Sequence, residues 1–240
     1  ATDICKKYKK VMRMHGGDFY LNRNDGYIPL VERIYNKTDL LLPISNDISA
    51  ILQSYYHVPP EKIFVNYLGV RKLKPSLSVR DDNVIRVVSC SNLVDLKRVN
   101  IIAQLVANWQ HNISVEWHHF GDGPEANTLK KMIADYSGNN KMILHGWTNQ
   151  QDIYQFYSTT YVHWFLNVSI YEGIPVSIME AFSFGIPAIA TNAGATAEIV
   201  NNNNGYLIDV EIEYTILKKM ILSIAEEGYE QKRKAAFHTW

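Results

Sequence analysis

The sequence has little cysteine. Of its 240 residues only Cys5 and Cys90 carry thiols, at no spacing that makes a redox pair or a metal site, which excludes a disulfide framework and fits a reducing compartment. No run of about eighteen apolar residues is present to cross a bilayer. The first residues also lack the charged-then-apolar pattern of a secretory signal. Neither sign of charge dominates: 24 basic residues balance 24 acidic ones, so nothing global recommends nucleic acid as a partner. There is no internal repeat, and Asn201 to Asn204 is only a short polar turn before Gly205. What is plentiful is apolar surface. With 47% hydrophobic and 20% charged residues, the chain can bury a substantial core as one large domain or one and a half ordinary ones.

The informative stretch runs from Tyr171-Glu172-Gly173-Ile174-Pro175 through Glu180 to Gly185-Ile186-Pro187. Pro175 suits a first helical turn, having no N–H to lose. Gly185 followed by Pro187 ends a helix, so the pattern predicts a helix from about Pro175 to Phe184. A helix start presents unpaired N–H groups and partial positive charge, a seat for phosphate, and Gly173 lets a ligand approach the backbone. Glu172 stands beside that seat and Glu180 about a turn and a half deeper. Two carboxylates flanking a phosphate seat suit a nucleotide sugar; two solvated glutamates on a surface helix are the plainer alternative.

Glu172 and Glu180, with glycine after the first and Ala181-Phe182-Ser183-Phe184-Gly185-Ile186-Pro187 after the second, resemble the signature of retaining glycosyltransferase family 4 (group 1). The likeness is to the branch that builds bacterial polysaccharides. The resemblance implies an α/β fold of the GT-B type, two Rossmann-like domains facing a cleft. It implies here a complete C-terminal nucleotide-binding domain plus the last part of the N-terminal one. The expected boundaries are residues 1–73 for the acceptor-side portion, 74–83 for a polar linker with Pro75 and Ser76, and 84–225 for the nucleotide-sugar domain. Residues 226–240 would start a helix returning to the first domain. The opening at Ala1, just before a strand at Lys10 to Met14, reads as a chain joined in mid-domain.

Taken in order, that strand empties into His15-Gly16-Gly17-Asp18, with Tyr20 following. An imidazole on a backbone-lined rim suits a proton partner or hydroxyl ligand, and a turn histidine without chemistry is the alternative. By resemblance His15 faces the donor sugar. Lys6, Lys7, Lys9 and Lys10 admit contact with anionic lipid but read more simply as a solvated basic face. A helix over Leu30 to Asn36, a buried strand within Thr38 to Ser45, and a helix from Asn46 capped by Ser45 or Asn46 come next. Val58 to Val65 then gives a turn and a short strand, and Leu68-Gly69-Val70 stands near the hinge.

Val84 to Cys90 is a buried strand running into Ser91-Asn92 and Lys97-Arg98, then a helix over Val99 to Asn108. A cation between a strand and its helix can reach a pyrophosphate. The family carries Gly-Arg where Ser91-Asn92 stand, with a lysine five beyond, matched by Lys97. Asn92 donates hydrogen bonds without charge, and Arg98 is the candidate to compensate. After the strand Val115 to Phe120, Gly121-Asp122-Gly123-Pro124-Glu125-Ala126 matches a dinucleotide fingerprint, which makes an NAD(P)-dependent oxidoreductase a competing reading. That fingerprint wants an acid about twenty positions on, where Met142 to Trp147 offers none. His118 and His119 alternate across a strand and so cannot readily share a metal.

Gly146, Trp147 and the helix within Asp152 to Tyr157 lie, by resemblance, beside base and ribose. Further strands are expected at Tyr161 to Leu166 and Pro187 to Thr191. Asn192 to Glu198 should lead a helix, Gly205 to Ile208 a hairpin, and terminal helices start near Glu213. The resemblance implies Glu172, His15 and Lys97 in catalysis, and Asn92, Lys97, Gly121, Gly146, Trp147, Gly173, Ile174, Pro175 and Glu180 in donor binding. The donor is a UDP- or GDP-linked sugar; no metal or other cofactor is expected. The acceptor is a glycan or a lipid-linked glycan. The setting is cytoplasmic, with peripheral association at the inner membrane face an option. A nucleotide-binding module without transferase activity is the third reading.

Overall fold

A computed structural model describes residues 8–15, 30–71, 73, 79–80 and 83–239. The expectations placed on Cys5, Lys6, Lys7, Gly16, Gly17, Asp18, Tyr20, Pro75 and Ser76 lie outside the described residues. The Cα trace divides into two units. One runs to Leu68 and takes in Glu172–Ile174; the other comprises Gly69–Tyr171 and Pro175–Trp240.

In the first unit, β1 (Val11–Met14) and β2 (Leu40–Pro43) pair in parallel, with Val11 opposite Leu40 and Met14 opposite Pro43. Two helices accompany them, α1 (Val31–Lys37) and α2 (Asn46–Ser54). Helix α2 is capped as its sequence dictates: Ser45 stays extended and its Oγ accepts the Ile48 N–H at 3.2 Å, satisfying one orphan donor of the first turn. The face so oriented buries Ile48 and Leu52 completely, along with Leu41 and Met14 of the strands. The short strand expected within Val58 to Val65 reduces to a single bridge of Ile63 to Leu41, after a 3₁₀ turn at Pro60–Lys62. The paired prolines Pro59 and Pro60 favour that turn, and proline has no N–H for a ladder.

The second unit is a six-stranded, wholly parallel sheet. Its strands are β3 (Val84–Cys90), β4 (Ser114–Phe120), β5 (Lys141–Leu144), β6 (Trp164–Asn167), β7 (Ala188–Thr191) and β8 (Gly205–Ile208), in the spatial order β5-β4-β3-β6-β7-β8. Intervening helices are α3 (Val99–Ala107), α4 (Ala126–Ala134), α5 (Gln150–Thr159), α6 (Val176–Phe182), α7 (Tyr214–Leu222) and α8 (Tyr229–Thr239). Strands buried on both faces read as continuous apolar runs, and Val87, Val88, Trp117, Trp164 and Ile189 are almost wholly enclosed. Helix α8 packs against α6. Among the described residues no helix is long and apolar enough to cross a membrane.

Five local expectations are corrected. Gly205 to Ile208 is not a hairpin arm but a parallel edge strand, Gly205 lying opposite Ala188 and Ile208 opposite Thr191. The chain returns to the start of β7 through a 3₁₀ turn, Gly194–Glu198, in place of the expected helix, and through the asparagine turn. There the buried Asn204 donates to the Ile199 carbonyl and accepts from the Asn201 N–H. Gly205 is required, since a Cβ there would stand 2.1 Å from the Ala188 carbonyl oxygen. Strand β6 begins at Trp164, not Tyr161, because His163 faces the backbone of Arg86: its N–H donates to the Arg86 carbonyl and its Nδ1 accepts the Arg86 N–H. Pro175 caps α6 from an extended conformation, with ψ 97°, instead of opening its first turn. The helix ends at Phe182, where Gly185 at φ +70° turns the chain and donates to the Phe182 carbonyl.

Candidate functional site

In a sheet of this order, the connections leave β3 and β6 in opposite directions, so a crevice opens at the carboxyl ends of that pair. Lys97 lines this crevice together with Ser91, Asn167 and Ser169. Ser89 and Ser91, which also line it, belong to a buried chain of hydrogen bonds. Trp117 Nε1 donates to Ser89 Oγ at 2.9 Å, Ser89 Oγ contacts His119 Nδ1 at 2.8 Å, and His119 Nε2 contacts the Ser91 carbonyl at 3.2 Å. A carbonyl only accepts, so His119 carries its proton on Nε2 and receives the Ser89 hydroxyl on Nδ1. Burial pushes its pKa down to about 4, against the opposing pull of the Ser91 carbonyl, so the ring is neutral at pH 7. His118, on the other face, bonds Glu116 at 2.7 Å and His145 at 2.9 Å. The two histidines diverge as strand alternation requires.

The loops after β3, β4 and β5 are laced together. Ser91 N–H donates to the Phe120 carbonyl at 3.0 Å, Leu93 N–H to Asp122 at 2.9 Å, and Gly121 N–H to Gly146 at 2.8 Å. Gly121 and Gly123 allow this closeness. A Cβ on Gly121 would lie 1.9 Å from the Ser91 oxygen, and one on Gly123 would lie 2.5 Å from the Leu93 oxygen. The glycines of the Gly-x-Gly-x-x-Ala turn thus admit a neighbouring loop of the same chain. That removes the physical reason to read them as a cofactor cradle.

Arg98 does not fill the gap left by Asn92. Its Nε donates to the Val168 carbonyl and its Nη1 to the Val210 carbonyl, each at 2.8 Å. It holds the loops after β6 and β8, and burial lowers its pKa. Asn92 is exposed, its carbonyl accepting from the Val94 N–H.

Glu180 projects from α6 to α5. Its Oε1 accepts the Tyr154 hydroxyl at 3.0 Å and the Gln150 amide at 2.5 Å. Burial pushes the Cys90 thiol up to about 12, and the Glu180 charge adds to the shift, so the carboxylate lies within electrostatic reach of the β3 terminus. Gly146 and Trp147 follow β5; Trp147 is 78% exposed, and Thr148 Oγ1 donates to the Gly146 carbonyl. The second unit thus gathers the segments bearing Asn92, Lys97, Gly121 and Gly146 at adjacent strand ends, with Pro175 capping the helix that carries Glu180. His15 follows β1 directly and is exposed, while Glu172 and Ile174 are buried and Gly173 half-buried, all grouped with the first unit. Sequence reasoning missed Tyr154, Gln150 and the inward role of His119. No local signal marks them, because their partners lie 26 to 30 residues away.

A family model described as glycosyl transferases group 1 matches residues 71–237. WcaL of Salmonella typhimurium, named for colanic acid biosynthesis as a glycosyltransferase, is 27% identical over 192 residues, covering 76% of this chain and 47% of WcaL. S. aureus TarM, solved with UDP, superposes with TM-score 0.74 at 20% identity over 96% of this chain and 47% of TarM. Anabaena HepE, solved with UDP and glucose, gives TM-score 0.74 at 19% identity over 98% of this chain and 67% of HepE. At such identities the structural likeness establishes the fold, which is GT-B. The chain spans about half the length of the curated relatives it matches.

Proposed function

This chain belongs to the group 1 glycosyltransferases, and from that premise we propose that it binds a UDP- or GDP-linked sugar at the carboxyl ends of β3 and β6 for transfer to an acceptor hydroxyl. The observation that carries the reading is the crevice at the sheet's switch point, lined by Lys97, with the Glu180 carboxylate near the same strand end. Lys97 and the N–H groups of Gly173 and Ile174 offset the charge gathering on the departing diphosphate, the electrostatic term that dominates such chemistry. Glu180 accepts from the ribose hydroxyls and Glu172 from the donor sugar, while His15 steadies the transferring sugar. Asn92, Gly121, Gly146, Trp147 and Pro175 complete the donor contacts.

Transfer proceeds with retention by front-face attack, without an enzyme nucleophile and without a metal, since lysine and backbone donors supply the positive charge. The acceptor is a glycan or lipid-linked glycan, a choice supported by WcaL's name. The reaction belongs in the cytoplasm, at or near the inner membrane face. One observation favours a second reading, a nucleotide-binding module without transfer: Asn92 is uncharged and Arg98 is committed to backbone carbonyls.

Both readings meet in one experiment, in the protein that carries this chain. Incubation with UDP- and GDP-sugars and a glycan acceptor should release nucleoside diphosphate and give a product with the donor's anomeric configuration by NMR. Glu172→Gln should lower kcat on the order of 100-fold while nucleoside diphosphate affinity stays within a few-fold, as for an interaction made in the transition state. Diphosphate affinity without acceptor-dependent release would favour the binding module.

A further inference from the structure

Resting on the reading of Glu180 as the ribose acceptor, the geometry assigns Tyr154 a positioning role: with Gln150 it fixes the Glu180 carboxylate so that donor binding selects for ribose hydroxyls. Both side chains donate to the same oxygen, Oε1, at 3.0 and 2.5 Å. A carboxylate oxygen that accepts two bonds has little capacity left, whereas Oε2 makes no hydrogen bond among the described residues. The carboxylate is therefore held at one oxygen and offered at the other, the arrangement that presents an acceptor to a vicinal diol at low entropic cost.

Tyr154 is itself held. Its ring meets the Phe184 ring at 5.4 Å and 59°, and it lies on α5 one turn before the buried Tyr157. Burial, with Glu180 adding to it, raises the phenol's pKa above its ordinary value. The hydroxyl is therefore a permanent donor at any working pH, and it cannot repel the carboxylate as a phenolate would. Gln150, in the first turn of α5, closes the other side. Nothing else among the described residues bonds the Glu180 carboxylate.

Titration calorimetry on the intact chain tests this with UDP and GDP, and with the 2′,3′-dideoxy form of whichever binds tighter, against the wild type and Tyr154→Phe. Phenylalanine keeps the ring against Phe184, and a thermal melt verifies that the variant folds. The wild type should prefer the ribonucleotide by about 10-fold or more. Tyr154→Phe should lose most of that preference, weakening the ribonucleotide about 5- to 10-fold and leaving the dideoxy form unchanged. Equal losses for both ligands would mark Tyr154 as merely structural, and unchanged or tighter ribonucleotide binding would show the phenol to be idle or a competitor; either overturns the proposal. A wild type that binds both forms equally, or neither, would sink the ribose role of Glu180 itself, and the proposal with it.

Discussion

Gly121→Ala should cost on the order of 3–5 kcal/mol of stability and abolish nucleotide binding, because it forces two backbone loops apart. The residue sits at φ +138°, and the added carbon would lie 1.9 Å from the Ser91 oxygen, a backbone atom with no flexible end to yield. Making room breaks the Ser91-to-Phe120 and Gly121-to-Gly146 hydrogen bonds that align the loops after β3, β4 and β5. Ser91 and Asn92 are where the proposed donor would touch β3, so the same displacement empties the crevice. Gly146→Ala is the control. It has φ +70° with nothing within 4 Å of its Cβ, so it should cost only left-handed backbone strain, about 1–2 kcal/mol. Urea unfolding of both variants measures the difference. A Gly121→Ala midpoint no lower than that of Gly146→Ala would contradict the packing account.

Acid should weaken the fold well before its carboxylates titrate. His119 and His163 are fully enclosed, and burial pushes their pKa values down to about 4 and about 3. In the unfolded chain each titrates near 6.5. Between these limits the unfolded state binds protons that the folded state refuses, so unfolding becomes more favourable as pH falls. Above pH 6.5 the two histidines contribute their full stability. Below it each loses up to about 1.4 kcal/mol per pH unit, down to its folded pKa. His118 and His145 are also lowered by burial and act in the same direction. Glu116, brought to about 2 by Arg86 and His118 against the opposing cost of burial, adds a further loss only below about 4.5. Unfolding free energy by urea should therefore be level from pH 8 to 7 and fall steeply between 6 and 4.5. His163→Asn, which can keep an acceptor for the Arg86 N–H, should flatten part of that slope. Equal stability at pH 7 and pH 5 would show that these rings are accessible to protons in the folded state.

Much of both units was legible where local physics is enough. Val84–Cys90 reads as a strand from its apolar run between Asn83 and Ser91, and it folds with those bounds. Ser45 announces the start of α2 by chemistry confined to three residues. What escaped depends on distant partners. A four-residue run after a glycine looks like a hairpin arm, and only the empty edge of β7 makes Gly205–Ile208 a parallel strand. Arg98 reads locally as a spare cation, yet its acceptors lie 70 and 112 residues away. The dinucleotide-like glycines look like a cofactor turn until the β3 loop is seen to occupy the space they leave. The spacing of Glu172 and Glu180 is visible in the chain, whereas the two donors that hold Glu180 are not.

In the function proposed for this chain, a nucleoside diphosphate sits at the switch point between β3 and β6, against Lys97. The most direct test is calorimetric titration of this chain with UDP, GDP and NAD, without added metal, repeated on Lys97→Ala. The account predicts saturable binding of UDP or GDP and none of NAD. Loss of one charge-assisted contact to the diphosphate should weaken the complex about 10- to 100-fold in the variant. Binding of NAD alone, or UDP and GDP affinities untouched by removing Lys97, would contradict it.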